Sequence, residues 1–392
     1  MAWLFPAVGV LALILGALPA AAVEARTTSY PMTSGAWTLA PPVEWAHNTP
    51  DPLRFARYEG MPMGTMTVGE AIAASTDAHF SNGTIEFDIK PLAYSDTGIL
   101  FHRHGSEDGE IVYLRANPDC PAADDCIQYA PIIHALMQWD IYSDKEGPAP
   151  IAPQGWNHIR LAVAGAKMLV YVNREADPSL VVPKLQGLTT DGGIAFKGPA
   201  IYANLVICPG RASGLSSVHQ ALPEPGTVTA WLAAAPTAVA AGHPGVAADI
   251  PTAGAWHAIA AEPSGLVNLS RAFGAGRAPS ISTGWLKTSV TAAAPARRTL
   301  RVGWARQVSV FLHRRLVFSG DNPYYPSEHR LSPNGRLEAD NASIPLDLRQ
   351  GRNEIVLAVG NRWRTYAGVD KADPYGWGAE AHFDPLDGIR LP

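Results

Sequence analysis

Apolar and polar residues alternate strictly along Thr84-Ile85-Glu86-Phe87-Asp88-Ile89-Lys90. Successive side chains of a strand point to opposite faces, so Ile85, Phe87 and Ile89 face a core while Glu86, Asp88 and Lys90 face out. Comparable short runs follow at 99–102, 111–115, 137–142, 158–163, 168–173, 194–196 and 203–207. Turn residues separate them: Ser81-Asn82-Gly83, Asp108-Gly109, Ala164-Gly165 and Asp191-Gly192-Gly193. Short strands punctuated in this way predict an antiparallel sandwich. A single helical turn is expected at 68–74, and no long apolar 3.6-residue period occurs.

Residues 209–227, from Pro-Gly-Arg-Ala-Ser-Gly through Pro-Glu-Pro-Gly-Thr, break the pattern and read as a linker. It resumes at 228, with strand-like runs at 246–250, 256–260, 265–269, 285–290, 298–303, 308–312, 316–318, 344–348, 354–359 and 379–383. The run 308–318 reads as a hairpin turning at His313-Arg314. The predicted fold class is therefore all-β: two β-sandwich (jelly-roll) domains in tandem, at 26–208 and 228–392.

Residues 1–25 stand apart. An apolar run from Val8 to Leu18, too short to cross a bilayer, is followed by Pro19 and small residues. This is the shape of a secretory signal, so the chain is expected to be secreted or periplasmic, with no membrane contact once the leader is cleaved; the alternative, since no Lys or Arg precedes the apolar run, is an uncleaved anchor. Export permits disulfides. Cys120 and Cys126 flank a turn-rich segment and are expected to pair, with Cys208 left as a buried free thiol. The 30 basic and 35 acidic residues give no positive field for nucleic acid. The 36 Gly and 34 Pro among 392 residues, without a fixed period, suit many turns and exclude collagen.

Phe80 to Ile89, Trp156 to Val163 and Val170-Tyr171-Val172-Asn173 are similar to strands of concanavalin A-like (laminin-G-type) jelly rolls, the fold also of the bacterial 3-keto-disaccharide hydrolase-type domain. Tyr113-Leu114-Arg115 with Gln128-Tyr129-Ala130-Pro131 resembles a core shared by certain secreted bacterial proteins. Residues from about 230 onward resemble galactose-binding-domain-like sandwiches, on Val310-Phe311-Leu312, Phe318 to Asn322, Gly351 to Glu354 and Gly376-Trp377-Gly378. The resemblance implies these two folds. It leaves function open, because both host lectins, hydrolases, lyases and adhesion modules.

Strand parity gives the first site expectation. Val112 and Leu114 share one face, and Tyr113 and Arg115 share the other. With Gln128, Tyr129 and Trp139 on neighbouring strands, and Arg103 nearby, these residues combine aromatic rings and planar polar groups, the materials of a sugar-binding face. The plainer alternative is an arginine packed under tyrosines, with Trp139 in the core. His102 and His104 are candidate acid/base groups, or simply a strand end. Glu86 and Asp88 share a face, as in retaining glucanases of this fold. Lys90 and Pro91 occupy the places of the second glutamate there, so the division of roles between two carboxylates fails. Asp119, Asp124 and Asp125 form an oxygen-rich loop that suits either a solvated turn or a structural calcium ion; no other cofactor is implied. In the second half, Asp321 and Asn322, with Arg271, Trp285 and Trp377, could line a sugar site, or the tryptophans could be core.

The leading expectation is non-catalytic recognition of a polysaccharide or oligosaccharide on the first sandwich. The alternatives are a sugar-processing hydrolase or lyase using His102, His104 or Glu86, and a protein–protein adhesion module.

Overall fold

The computed structural model describes residues 26–43, 45, 52–58, 60–210, 212–238, 246–275, 281–324, 333–364, 370–372 and 375–392. The expected leader at 1–25 lies outside the described residues. No helix among them is long and apolar enough to cross a membrane.

Two eight-stranded antiparallel sheets build the first sandwich. One runs Leu180–Val182, Lys167–Val172, Asn157–Ala164, Gly83–Pro91, Ala200–Pro209, Met61–Val68 and Leu53–Tyr58, with Thr28–Tyr30 added on Ala200–Pro209. The other, called the docking sheet below, runs Leu136–Met137, Ile127–Ile133, Asp108–Arg115, Asp96–His104, Gly192–Lys197, Ile72–Phe80 and Trp37–Leu39, with Glu146–Gly147 added on Ile127–Ile133. Alternation decides the packing. Ile85, Phe87 and Ile89 point between the sheets and meet Phe196, Tyr202 and Trp37 from facing strands. Each large side chain buried in this way stabilises the core by roughly 1.5–3 kcal/mol.

The second sandwich pairs a seven-stranded sheet with a four-stranded one. The larger is ordered Trp256–Ala260, Ala230–Ala238, Ser282–Ala292, Gly351–Gly360, Arg306–Leu312 and Arg315–Asn322, with Ile389–Arg390 added on Ser282–Ala292. The smaller is ordered Val267–Asn268, Gly378–Asp384, Ala296–Trp304 and Ala342–Leu348. Trp304, Trp377 and Phe383 fill its core. The hairpin turns at His313-Arg314 as expected. Both residues have positive φ, 50° and 63°, the twist that two-residue hairpin turns require.

Several expectations fail locally. Residues 68–74 hold no helical turn, because Met61–Val68 and Ile72–Phe80 are both strands. The run 246–250 contains a 3-10 turn at Ala247–Asp249 instead of a strand, and 265–269 is a two-residue strand leading into the helix Leu269–Phe273. That helix starts where the Asn268 side chain accepts the Arg271 backbone N–H, an N-cap. The strands before residue 80 are the main omission of the sequence reading.

Cys120 and Cys126 are disulfide-bonded. Cys208 is free but only partly buried, with its Sγ 3.0 Å from Thr27 Oγ1.

Candidate functional site

Tyr113 and Arg115 do share one face of Asp108–Arg115, with Val112 and Leu114 on the other, in the core. That shared face is not open. It lies on the outer side of the docking sheet, where an apolar patch of Leu100, Ile111, Tyr113, Ile132, Met137 and Trp139 packs under Tyr324 and Tyr375 of the second sandwich. Tyr113 donates to Gln128 Oε1 at 2.5 Å. Arg115 donates to the same oxygen at 2.7 Å and to Glu146 at 3.2 Å, and Gln128 Nε2 donates to Trp139 O. Arg336, from the second sandwich, closes the network on Glu146 at 2.8 Å and lies over the Trp139 ring. Tyr113, Gln128 and Tyr129 are sealed from solvent, and Trp139 nearly so. Tyr113, Arg115, Gln128 and Trp139, expected on a ligand face, therefore join the two sandwiches, whereas Tyr129 points the other way, into the core of the first sandwich.

The other expected site residues scatter. His102 is buried and stacks on Phe80, with its Nε2 2.8 Å from Ser81 O. A carbonyl only accepts, so Nε2 carries the proton. Burial holds this imidazole below the usual histidine range. With 1% exposure it has no access to substrate, which corrects its candidacy as an acid or base. His104 is exposed and bonded to Asp191 O at 3.0 Å, and Arg103 sits on the intervening position. Glu86 and Asp88 lie on the opposite sheet, where both contact His158, at 3.4 and 2.8 Å. Asp119 and Asp124 are exposed, as on a solvated turn, but Asp125 is buried and faces Arg336 at 3.7 Å, which removes it from the expected oxygen-rich loop; no group of three metal-ligating side chains forms among the described residues. Asn322 is buried, donating to Trp304 O and Arg336 O and accepting from Gly335 N–H, so it shapes a turn. Asp321 pairs on the surface with Gln307 and Arg362. Trp285 and Trp377 are core.

A different site opens beside the buried network. A cleft of about 550 Å³ lies between the sandwiches. Its walls come from Ile141 to Glu146, Pro183, Lys184 and Gln186 of the first sandwich, Gln220 to Leu222 and Glu224 of the connecting segment, and Glu262 to Leu266, Arg301, Leu337 to Ala339 and Glu380 to His382 of the second. The volume falls within the range of about 300–1,000 Å³ usual for small-ligand sites.

Strand register places the key side chains. In the four-stranded sheet, Ala296–Trp304 pairs with Gly378–Asp384 so that Arg301 opposes His382 and Gly303 opposes Glu380. Leu300, Val302, Ala379, Ala381 and Phe383 turn into the core, which sends Arg301, Glu380 and His382 to the cleft face. The missing side chain at Gly303 matters. A Cβ there would come within 2.8 Å of Glu380 Oε1, and one on Gly265 within 3.5 Å of Oε2. Gly265 has φ +103°, a conformation reserved for glycine. Glu380 thus lies along a glycine-lined trough.

Two charged groups in this trough have no partner among the described residues. Glu380 makes no hydrogen bond or ion pair, and Arg301 Nε is buried without an acceptor. Burial, then the nearby Asp144, pushes the Glu380 carboxyl up to about 8. Arg301 and burial together hold His382 below its usual range, burial being the larger cause. Across the cleft, Tyr142 donates to Glu262 Oε1 at 2.6 Å while accepting from Asn268, and Arg271 Nε lies 3.8 Å from the same carboxylate. Burial also raises Glu262.

The sequence reading named none of Tyr142, Glu262, Arg301 or Glu380. A signal existed for one pair. Ala379-Glu380-Ala381-His382-Phe383 alternates small or apolar with ionisable residues, so its outward face carries a carboxyl and an imidazole two positions apart.

No family model matches the chain, and no curated protein matches it. Solved structures do. The carbohydrate-binding module CBM66 from Bacillus subtilis is 13% identical, over 44% of this chain and 91% of that one, with a TM-score of 0.29. Domain 4 of AbnA, an extracellular GH43 arabinanase from Geobacillus stearothermophilus in complex with arabinotriose, is 12% identical over 47% and 88%, with a TM-score of 0.30. A Bacillus subtilis protein of unknown function with a galectin-like fold is 14% identical over 47% and 96%, with a TM-score of 0.30. Likenesses of this size assign neither a ligand nor an activity to this chain.

Proposed function

We propose that this protein is a secreted glycan-binding protein, and that its saccharide occupies the cleft between the sandwiches instead of the Tyr113/Arg115 face. The observation that carries the reading is the Arg301 guanidinium on the cleft lining, its Nε buried without an acceptor, with the half-buried Glu380 carboxyl lining the same cleft. A guanidinium offers only donors, and a carboxyl offers acceptor oxygens. Sugar hydroxyls donate and accept, so a saccharide satisfies both groups at once. Leaving a buried group such as Arg301 Nε unbonded costs about 1–3 kcal/mol, which a fitting ligand recovers. Leu266 and Leu337 supply apolar wall for the C–H faces of the rings.

The test is a glycan array with the full protein, followed by calorimetry on any hit. The expected result is a bound oligosaccharide whose affinity falls at least about tenfold in Arg301→Ala, the loss of one good polar contact. Silence across the array, or a hit that Arg301→Ala leaves unchanged, would sink the reading.

A further inference from the structure

The charges around Glu380 narrow the ligand. Asp144 reaches it from the first sandwich, Glu224 from the connecting segment and Asp340 from the second sandwich, all three disfavouring its ionised form. Arg301, on the paired strand, acts in the opposite sense. The remaining charges of the cleft change this little. Lys145 pairs with Asp144 at 2.5 Å and offsets part of that aspartate's repulsion; Glu146 is held by Arg115 and Arg336, and Glu262 by Tyr142 and Arg271, while Lys184 acts on Glu262. His382, beside Glu380 on the same strand, is held toward its neutral form, and Glu338 sits opposite on the wall.

A carboxyl that shares its cleft with Asp144, Glu224 and Glu338 and lacks a hydrogen-bond donor is a place where a cation is missing. An anionic ligand would meet the same repulsion. We propose that the cleft selects a saccharide bearing a primary amine, an amino sugar, whose ammonium sits against Glu380 while its hydroxyls satisfy Arg301. This rests on the cleft being a saccharide site. Seating the ammonium ionises the carboxyl, so Glu380 gives up its proton to solvent as the ligand binds. No covalent bond changes.

The experiment is calorimetric titration of the full protein at pH 5.5, where both the sugar amines and Glu380 carry their protons, with three tetramers: β-1,4-linked glucosamine, its N-acetylated counterpart, and cellotetraose. Each titration is repeated in two buffers of different ionisation heat. The expected result is at least about tenfold tighter binding of the amine form, with a proton released on binding. In Glu380→Gln, which keeps shape and hydrogen-bonding capacity, the amine preference and the proton release should both vanish. Circular dichroism confirms the fold of the variant. Equal or tighter binding of the N-acetylated or neutral tetramer overturns the amine proposal but leaves the cleft reading standing. Amine preference that survives in Glu380→Gln also overturns it, placing the amine elsewhere. If no tetramer binds and the array is silent too, the cleft reading fails and this proposal fails with it.

Discussion

Arg306 of the second sandwich pairs with Asp140 of the first, and both side chains are sealed from water, at 1% and 0% exposure. Asp140 also accepts the backbone N–H of Gly376 at 3.0 Å and of Ile141 at 3.1 Å. Its oxygens are thus held by groups from both halves of the chain. Removing one partner of a buried pair strands the other charge, a loss of about 3–5 kcal/mol. Arg306→Met should therefore lower unfolding stability by that amount in urea, and wild type should unfold in one transition by both fluorescence and circular dichroism. Two separate transitions, with the first sandwich unaffected by the substitution, would contradict the coupling.

Tyr129 and Glu110 make a second test, inside the first sandwich. The tyrosine hydroxyl donates to Glu110 Oε2 at 2.7 Å and accepts the Gln186 N–H at 2.6 Å, and Glu110 Oε1 accepts the Gly187 N–H at 2.9 Å. Tyr129→Phe keeps the ring but leaves a buried carboxyl oxygen and a buried N–H without their partner. The expected cost is about 1–3 kcal/mol of stability, read from the urea midpoint. A variant as stable as wild type would mean that water replaces the hydroxyl there.

Two histidines should titrate in opposite directions. His158 lies between carboxylates, 2.8 Å from Asp88 and 3.4 Å from Glu86, and the Asp88 hydrogen bond raises it above the usual range. His102, in the aromatic core, is lowered by burial. For His158 the raised folded value means stability present at low pH and lost as pH rises through it. For His102 the sign reverses: stability falls as pH drops below about 6.5, where the unfolded chain takes up the proton first. An NMR titration of the ring protons should place His158 above about 6.5 and His102 below it. Asp88→Asn should move His158 downward and leave His102 alone.

The sandwich architecture was legible because a core sheet imposes a period of two that survives in single-residue alternation, as at Ile85, Phe87 and Ile89 or Ala379, Ala381 and Phe383. Tyr113 and Arg115 were rightly placed on one face, but parity says nothing about what covers that face. Here Trp139, Tyr324, Tyr375 and Arg336 cover it, and three of the four residues come from the other half of the sequence. Residues 53–80 hid their strands because Ala, Thr, Ser, Gly and Met give a weak apolar contrast. The cleft was illegible for a stronger reason. Asp144, Glu224, Glu262, Arg301 and Glu380 come from separate stretches of the chain and meet only through the docking of the two sandwiches.

Glu380 supplies the last test, one that needs no ligand. Its carboxyl is pushed up to about 8, with burial the main cause, whereas an unfolded glutamate titrates near 4.5. A raised acid favours the protonated fold. Its ionisation therefore costs nothing below about pH 4.5, destabilises progressively as pH rises from there to about 8, and weighs fully above that. Glu380→Gln removes the charge. The variant should match wild type near pH 4.5 and exceed it by about 1–3 kcal/mol at pH 8.5, allowing for partial solvent screening at the cleft mouth. Thermal melts across pH 4–9 read the difference directly. Glu110, likewise pushed up to about 8 by burial, tilts the whole protein the same way, so the informative quantity is the gap between the two curves and not the slope of either. A gap that stays constant with pH would mean that Glu380 ionises normally in the fold, its carboxylate stabilised by a group that the cleft geometry does not display.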